Sequence, residues 1–235
     1  ADKKDVGRDV TETTESNGAG FSAHPSNETN TAGMSKAATV KPELTEVAIY
    51  DSADATEPSQ TLNNPDEYGT PITFLVDSND TSGARLPVYL PLPPNGSKGW
   101  INASDVTTID NPYAVKVELA AHKMTVTKAG ENIVDTAVAV GRSGRETPLG
   151  LYFVTELREA PNPDGDYGPY AYGISGFGSA DAAAEFGIAE VGIHGTNKPE
   201  LIGTDVSSGC IRVPNDIITQ MAGLLPLGTP VEIVA

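Results

Sequence analysis

The chain has 235 residues, which suits one or two domains. Its 15 lysines and arginines against 32 aspartates and glutamates give a formal net charge of −17, which argues against nucleic-acid binding through a basic surface. A polyanionic partner would have to be met by local cations such as Arg142, Arg145 and Arg212. No stretch approaches the roughly 20 apolar residues of a membrane span.

The first residues, Ala1 to Asp5, do not form a signal peptide. Two expectations fit this start: a cytoplasmic protein, or an exported protein whose signal or anchor has been removed. Residues 1–40 are low in complexity and nearly free of large apolar side chains. Such a segment cannot bury enough surface to offset its chain entropy, so we predict a disordered tether over 1–40.

Residues 41–112 have a different character. Apolar runs at 47–50, 72–76, 86–90 and 99–101 are separated by clusters of Asn, Pro, Asp and Gly. Short apolar runs with turn residues between them are typical of strands joined by tight turns. We therefore predict a small β-barrel module over 41–112.

Residues 113–235 form a third block, which we predict to be mostly β. Apolar and charged residues alternate over 115–119, the period of two that is typical of a strand with one buried face. A glycine-rich loop follows at 141–150. The stretch 157–187 is rich in Gly, Pro, Tyr and Asp, which favours an irregular lid over core strands.

The end of the chain adds the one predicted helix of this block. Asn215 is a good helix cap, and the apolar residues from Ile217 to Leu225 lie on one helical face. A last strand is predicted at 231–234. This mainly β pattern predicts that His194 and Cys210 lie at or near strand ends.

The single cysteine of the chain, Cys210, follows His194 by sixteen residues and lies in a Ser-Ser-Gly-Cys-Ile-Arg run. A thiolate is a nucleophile, and a positioned histidine lowers the pKa of the thiol or takes its proton. A lone cysteine is more often a small buried apolar residue. Here its neighbours are Ser, Gly and Arg, and no second cysteine is available for a disulfide, which favours thiol acyl transfer.

Four segments in order carry a resemblance to a known family. TPLG (147–150), IHGT (193–196), SSGCIRV (207–213) and LGTPVEIV (227–234) together resemble the YkuD-type L,D-transpeptidase catalytic domain of bacteria. The resemblance covers 113–235 and implies a β-sandwich with one or more short helices. The 41–112 segment looks like the small Src-homology-three-like β module that precedes this domain in some cell-wall enzymes.

The resemblance implies an exported enzyme of the cell wall or periplasm-equivalent space, with a role in cell shape. Such enzymes form a cysteine acyl-enzyme from peptidoglycan tetrapeptide stems, release D-alanine and transfer the acyl group to a second stem to form 3→3 cross-links. L,D-carboxypeptidase activity and a non-catalytic wall-binding module remain alternatives. The resemblance also implies carbapenem-type inhibitors, a monomer, no cofactor and no metal, with any membrane attachment made through a lost N-terminal anchor.

Residue roles follow from the same resemblance. Cys210 would be the nucleophile, and His194 would form a thiolate–imidazolium pair with it. The backbone carbonyl of Ser208, where many members have histidine, would orient the imidazole. The N–H groups of Gly209 and Cys210 would form the oxyanion hole.

The substrate-binding residues implied by the resemblance are Arg212, Ser207, Gly195 and Tyr172. Arg212 could hold a substrate carboxylate, or it could brace the cysteine loop. Tyr172, from the predicted lid, would close over the substrate.

Two other cysteine enzymes fit less well. Sortases place their histidine far upstream and their arginine in a later strand, whereas His194, Cys210 and Arg212 lie close together here. Papain-like and NlpC-type peptidases have the cysteine before the histidine, the reverse of this order.

Overall fold

A computed structural model describes residues 33–78, 81–181, 184 and 190–235 of the chain. The predicted tether falls mainly on 1–32, which lies outside the described residues. The described chain is mainly β, as the sequence predicts. Among the described residues, no helix is long and apolar enough to cross a membrane.

The N-terminal part is built from short antiparallel strands. These are β1 (Ser35–Val40), β2 (Glu46–Ile49), β3 (Gln60–Asn63), β4 (Thr73–Leu75), β5 (Arg85–Tyr89), β6 (Lys98–Asn102) and β7 (Val106–Asn111). Strand β1 lies between β4 and β7, while β2–β3 and β5–β6 form two further pairs. The four predicted apolar runs correspond to β2, β4, β5 and β6, and Ile49, Phe74, Leu86 and Ile101 bury their side chains in one core. A Src-homology-three-like fold for this module stays a prediction.

The predicted tether extends too far along the chain. Residues 35–40 form β1, and Ala37, Ala38 and Val40 are almost fully buried. Alanines carry too little apolar surface to mark a strand in the sequence, yet they suit a central strand whose faces are closely packed. A Cβ built on Gly228 would lie 2.5 Å from the Ala37 Cβ, so the backbone approaches β1 closely.

The C-terminal part forms a curled eight-stranded sheet in the order β10-β9-β8-β17-β12-β13-β14-β16. Its elements are β8 (Tyr113–Glu118), β9 (Lys123–Lys128), β10 (Glu131–Ala137), β11 (Val140–Gly141), β12 (Gly150–Glu159), β13 (Tyr170–Phe177), β14 (Glu190–His194), β15 (Asp205–Ser207), β16 (Ile211–Arg212), α1 (Asn215–Ala222) and β17 (Pro230–Val234). The predicted alternation is confirmed, because Val115 and Val117 are buried opposite Val126 and Met124 of β9. Ile218 and Met221 of α1 pack into the same core.

The prediction of an irregular lid over 157–187 is wrong for residues 157–159 and 170–177, which are strand residues. The end of β12 and all of β13 lie there, in the middle of the sheet. Glycines do not break β13, because they make room for neighbours: a Cβ on Gly173 would lie 2.6 Å from the Cγ of Glu156. Only 160–169 connects the two strands as a loop. Residues 182, 183 and 185–189 lie outside the described residues.

The two parts of the chain are packed against each other. Asn111 at the end of β7 donates a buried hydrogen bond from Nδ2 to Thr229 Oγ1 at 3.0 Å. Leu75 and Tyr89 from the N-terminal part share a small core with Phe153 of β12. This contact holds β12, and through β12 the strands that carry the cysteine and histidine.

Candidate active site

The parallel pairing of β14 with β16 brings the predicted catalytic residues together. Ile193 pairs with Ile211 and His194 with Arg212, which places Gly192 beside Cys210. Side chains alternate along a strand, so Cys210, His194 and Arg212 project to the same side of the sheet. A Cβ on Gly192 would lie 3.0 Å from the Tyr172 carbonyl oxygen and in ordinary contact, at 4.0 Å, with the Cys210 Sγ, so glycine at 192 is required mainly by the close approach of β13.

The loop before Cys210 is held by the buried side chain of Ser207. Its Oγ accepts a hydrogen bond from the Gly209 N–H at 3.1 Å and donates to the Cys210 carbonyl at 2.6 Å. Ser207 is 1% exposed. The sequence analysis placed Ser207 among the substrate-binding residues; this is wrong, because both hydrogen-bonding functions of its hydroxyl are used within the loop.

The hydrogen bond between the Gly209 N–H and Ser207 Oγ changes the expected oxyanion hole. The Gly209 N–H is committed to Ser207 Oγ and points into the loop, so its predicted role as an oxyanion donor is not supported by this geometry. The Cys210 N–H makes no hydrogen bond within the described residues. It is therefore the donor available to a developing negative charge beside Sγ.

Thr147, from the TPLG segment, is a second buried support that the sequence analysis did not single out. Its Oγ1 donates to the Gly209 carbonyl at 2.9 Å and accepts from the Gly141 N–H at 2.9 Å. Gly209 itself has a φ of +120°, a conformation that favours glycine. Thr147 thus ties the glycine-rich loop to the turn that presents Cys210.

His194 is buried and oriented by its own neighbour. Its Nδ1 lies 2.6 Å from the Gly195 carbonyl oxygen, a distance that requires the Nδ1 proton and leaves Nε2 as the acceptor. The expected contact from the Ser208 carbonyl is therefore wrong. The Gly195 carbonyl orients the imidazole, and a Cβ on Gly195 would overlap Asn215 Oδ1, while the prediction that Gly195 binds substrate stays a prediction.

Two residues that the sequence analysis missed complete the histidine side. The ring of Tyr167, in the 160–169 loop, lies over His194 with ring centroids 4.6 Å apart. Asn215 is not the cap of α1 but its first residue, and its Oδ1 accepts from the Thr196 N–H at 2.8 Å. The polar side chain of Asn215 could have indicated a role at the site, but the sequence analysis assigned it to capping the helix.

Burial sets the protonation state of the pair. The pKa of His194 is lowered to about 4, mainly by desolvation and also by the charge of Arg212, while the Gly195 hydrogen bond opposes both effects. Desolvation also raises the pKa of the Cys210 thiol, against a hydrogen bond from the Gly192 backbone and the charge of Arg212. Both shifts favour the neutral thiol and the neutral imidazole over a thiolate–imidazolium pair, and the expected ion pair stays a prediction.

Ser208 has a different role from the one predicted. Its Oγ accepts from Arg142 Nη1 at 3.0 Å and from Arg145 Nη1 at 3.2 Å. Arg142 Nη1 also donates to the Ser207 carbonyl at 3.2 Å. Two guanidinium groups therefore meet at the residue that lies two positions before Cys210.

Arg212 contributes charge to the centre of the site. Its Nε is buried without a hydrogen-bond partner in the described structure. A buried donor without a partner is costly, so this group is suited to an acceptor supplied by a ligand. The prediction that Arg212 holds a substrate carboxylate fits this placement and stays a prediction.

Tyr172 does not reach the site. It is 1% exposed, and its hydroxyl donates to the Met221 carbonyl of α1 at 2.7 Å. The prediction that Tyr172 binds substrate is therefore wrong, because β13 is a core strand and not a lid. Burial raises the pKa of Tyr172 well above its ordinary value.

No group of three or more His, Cys, Asp or Glu residues in the described ranges could hold a metal ion. Independence from metals and cofactors stays a prediction about activity.

Comparison with known proteins gives a consistent result for the C-terminal part. A family model described as the L,D-transpeptidase catalytic domain, YkuD, matches residues 112–233. The chain is 32% identical over 122 residues to YkuD of Bacillus subtilis strain 168, named as an L,D-transpeptidase, covering 52% of this chain and 66% of the relative. It is 25% identical over 182 residues to ErfK/SrfK of Escherichia coli K12, also named as an L,D-transpeptidase, covering 72% of this chain and 57% of the relative. The chain thus spans about two thirds or less of the length of these curated relatives.

Solved structures show weaker likeness. Bd1075 of Bdellovibrio bacteriovorus is 27% identical with a TM-score of 0.41, covering 53% of this chain and 48% of that one. The L,D-transpeptidase LdtMt1, solved in complex with imipenem, is 17% identical with a TM-score of 0.43, covering 64% of this chain and 91% of that one. At these TM-scores the structures support no inference about the site.

Proposed function

The chain belongs to the YkuD family of L,D-transpeptidase catalytic domains, and from this premise we propose that it cross-links peptidoglycan stem peptides through a thioester on Cys210. The donor is a tetrapeptide stem, the bond broken joins its third residue, a diamino acid, to the terminal D-alanine, and the product is a 3→3 cross-link. The observation that carries the proposal is the placement of Cys210, His194 and Arg212 on one side of β14 and β16.

The first half-reaction begins from the neutral pair. Nε2 of His194 takes the thiol proton as Sγ attacks the carbonyl carbon of the third stem residue. The Cys210 N–H donates to the oxyanion that develops. When the tetrahedral intermediate collapses, the amine of D-alanine takes the proton from His194 and leaves, and a thioester remains on Cys210.

The second half-reaction returns the site to its starting state. The side-chain amine of a second stem attacks the thioester carbonyl and passes a proton to His194, which then reprotonates the departing thiol. With water in place of the amine, the same steps give a free tripeptide. The balance between the two acceptors distinguishes a transpeptidase from an L,D-carboxypeptidase.

A neutral resting thiol suits this order of events. A thiolate buried in the resting site would be an unsolvated charge, which is unfavourable. When the proton moves to His194 during attack, the negative charge develops on the substrate oxygen, where the Cys210 N–H and Arg212 are already placed. The charge of Arg212 lowers the pKa of both Cys210 and His194. It therefore favours the thiolate and disfavours the imidazolium, which returns its proton readily to the leaving amine.

The proposed reaction also predicts a class of inhibitor and the place where the protein acts. A carbapenem presents a strained carbonyl to the thiol, and ring opening would leave an acyl group on Cys210. Peptidoglycan is built outside the cytoplasmic membrane, so the proposed activity requires export to the cell-wall space. Action as a monomer is part of the same proposal.

The test is intact-protein mass spectrometry after incubation with disaccharide-tetrapeptide, with Cys210→Ala in parallel. We expect an acyl adduct on the wild type and a dimeric product with release of D-alanine, and neither with Cys210→Ala. Tripeptide alone would indicate a carboxypeptidase. No adduct and no product, with unchanged circular dichroism, would overturn the enzymatic proposal in favour of a wall-binding module.

A further inference from the structure

The sheet surface beside Cys210 has a bare floor that leads to one carboxylate. Gly192 of β14 is paired with Gly173 of β13, and Gly173 is paired in turn with Glu156 of β12. Directly paired residues of antiparallel strands project to the same face of a sheet. A Cβ on Gly192 would lie 4.0 Å from Cys210 Sγ, and a Cβ on Gly173 would lie 2.9 Å from Glu156 Oε1. The thiol and the carboxylate therefore stand at the two ends of a floor made by two glycines.

This floor is open where it meets the thiol. In the described structure only the Tyr172 carbonyl oxygen and Cys210 Sγ come within 4 Å of a Cβ position on Gly192. Cys210 directly precedes β16, which is the last strand in the sheet order. An extended substrate that reaches the thiol and rests on the sheet must therefore cross β14 and β13. Glycines in a strand permit such a close approach, because they carry no side chain.

The carboxylate at the far end is held in place but keeps one oxygen available. Oε2 of Glu156 accepts from Arg158 Nε at 2.8 Å and lies 2.7 Å from Arg158 Nη2. Oε1, the oxygen nearest to Gly173, has no hydrogen bond to any residue that the structure describes. A carboxylate can accept at both oxygens, so Oε1 is suited to a donor supplied by a ligand.

The surroundings of Glu156 favour a positive charge. A cavity of about 410 Å³ lies beside it and is also lined by Glu190, Asp66 and Glu67. Among the ion pairs of the described ranges, only the one with Arg158 involves any of these four carboxylates. Desolvation raises the pKa of Glu190, and the charge of Glu156 raises it further. The excess of negative charge attracts a cationic group into this end of the floor.

The length of the floor matches one long side chain. The Cβ positions of paired residues lie about 4.5–5.5 Å apart, so Glu156 Oε1 is at most about 12 Å from Cys210 Sγ. An attacked carbonyl carbon would lie about 3 Å from Sγ. An extended side chain of lysine length places its nitrogen about 7 Å further on. A charge-assisted hydrogen bond of about 2.8 Å spans the rest.

We propose that Glu156 binds the side-chain ammonium of the third residue of the donor stem, while the aliphatic part of that side chain lies over Gly173 and Gly192. This inference rests on the proposed function. It names the residue that selects a diamino acid at the position whose carbonyl is attacked. Glu156 takes no part in the bond changes, so it determines specificity, and Arg158 fixes the orientation of its carboxylate.

The experiment compares two disaccharide-tetrapeptides by the rate of Cys210 adduct formation, a step that involves the donor alone. One has lysine at the third position, and the other has norleucine, which keeps the carbon chain and lacks the amine. We expect the wild type to prefer the lysine donor at least tenfold, the effect of one charge-assisted hydrogen bond. Both donors are compared on the same preparation, so partial unfolding of a variant does not change the ratio.

Two variants separate the carboxylate from its ion pair. Glu156→Gln should lower kcat/KM for the lysine donor about tenfold, mainly through KM, and reduce the preference to less than threefold. Arg158→Gln breaks the same ion pair but keeps the carboxylate, so the preference should stay at least tenfold. Glu118→Gln is the matched control, because Glu118 pairs with Lys116 two residues away on β8, as Glu156 does with Arg158 on β12. It should leave the preference unchanged.

The outcomes distinguish this inference from the proposed function. A preference that is absent in the wild type, unchanged in Glu156→Gln, or lost equally in Arg158→Gln would overturn the inference and leave the proposed function standing. No adduct with the lysine donor would also overturn the inference. If a donor with diaminopimelate at the third position gave no adduct either, the proposed function would be overturned as well.

Discussion

Cys210 and His194 lie on adjacent segments of one sheet edge, but the contacts that hold them differ in kind. The cysteine loop is fixed by buried hydroxyls, with Ser207 binding Gly209 and Cys210 and Thr147 binding Gly209. The side chain of His194 has one hydrogen bond to the backbone, at the Gly195 carbonyl. It is covered by the ring of Tyr167, which is itself exposed to solvent.

This difference teaches how the two groups are controlled. Cys210, the proposed nucleophile, is positioned by buried hydrogen bonds that cannot change without breaking the core. The basicity of His194, the proposed base, depends on how well its ring is covered, since desolvation is the main cause of its low pKa. Changes on the cysteine side should therefore affect stability and rate together, and changes on the histidine side should affect pH dependence with little loss of stability.

The largest effect should come from Thr147→Val, which keeps the shape of the side chain and removes its hydroxyl. The Gly141 N–H and the Gly209 carbonyl would both lose a buried partner, a loss of about 3 kcal/mol in the free energy of unfolding. Because the Cys210 N–H is carried by the same turn, kcat should fall at least tenfold. Urea unfolding and the adduct-formation rate measure the two effects.

Thr219→Val is the control for that substitution. Thr219 is exposed on α1, and its Oγ1 donates to the Asn215 carbonyl at 2.7 Å, so the same chemical change occurs away from the cysteine loop. It should cost less than about 1 kcal/mol. If Thr147→Val were no more harmful than Thr219→Val, the cysteine loop would not be fixed in the way described.

The second prediction concerns stability against pH, where both halves of the pair contribute. His194 titrates at about 4 in the folded chain and near 6.5 when unfolded. Between these values only the unfolded state binds the proton, so stability falls as pH drops from 6.5 to 4, by about 3 kcal/mol in total. Cys210 has a raised pKa, so the unfolded thiol loses its proton first, and stability also falls as pH rises above its ordinary value of 9.0.

Urea unfolding between pH 4 and 10 tests that window, with His194→Gln beside the wild type. The acid-side loss attributable to His194 should be absent in the variant, and the alkaline-side loss should persist in it and be absent in Cys210→Ala. An acid-side slope that is identical in wild type and His194→Gln would contradict a buried neutral imidazole. Alkylation of Cys210 by iodoacetamide should likewise be slow at pH 6 and rise with pH.

The sequence predicted what depends on residue type and spacing. The alternation at 115–119 predicted β8, and the His-Gly and Ser-x-Gly-Cys segments identified two stretches that the structure places side by side. The apolar runs of the N-terminal part likewise correspond to strands. Each of these signals is local in the chain and carried by the side chain itself.

The sequence could not predict the hydrogen-bond partners of the polar groups. Ser207 and Ser208 were both identified as site residues, but each has a different role in the structure, since hydrogen-bond partners depend on tertiary placement. The prediction for Tyr172 was wrong for a related reason. A glycine-rich sequence is typical of a loop, and only the structure shows that the glycines of β13 make room for neighbours such as Glu156. The alanines of β1 were likewise too small to signal burial.

The smallest effect should come from Tyr167→Ala, on the histidine side. Removing the ring exposes the imidazole to water, so the pKa of His194 should rise toward its ordinary value, and the acidic limb of the kcat/KM profile should move up by about one pH unit. The rate at pH 8 should change less than tenfold, and the free energy of unfolding by less than about 1 kcal/mol, because Tyr167 is already 58% exposed. Tyr68→Ala is the matched control, since Tyr68 is 62% exposed and stacks on Arg158 instead. A pH profile that shifts equally in both variants, or in neither, would show that cover by Tyr167 does not set the basicity of His194.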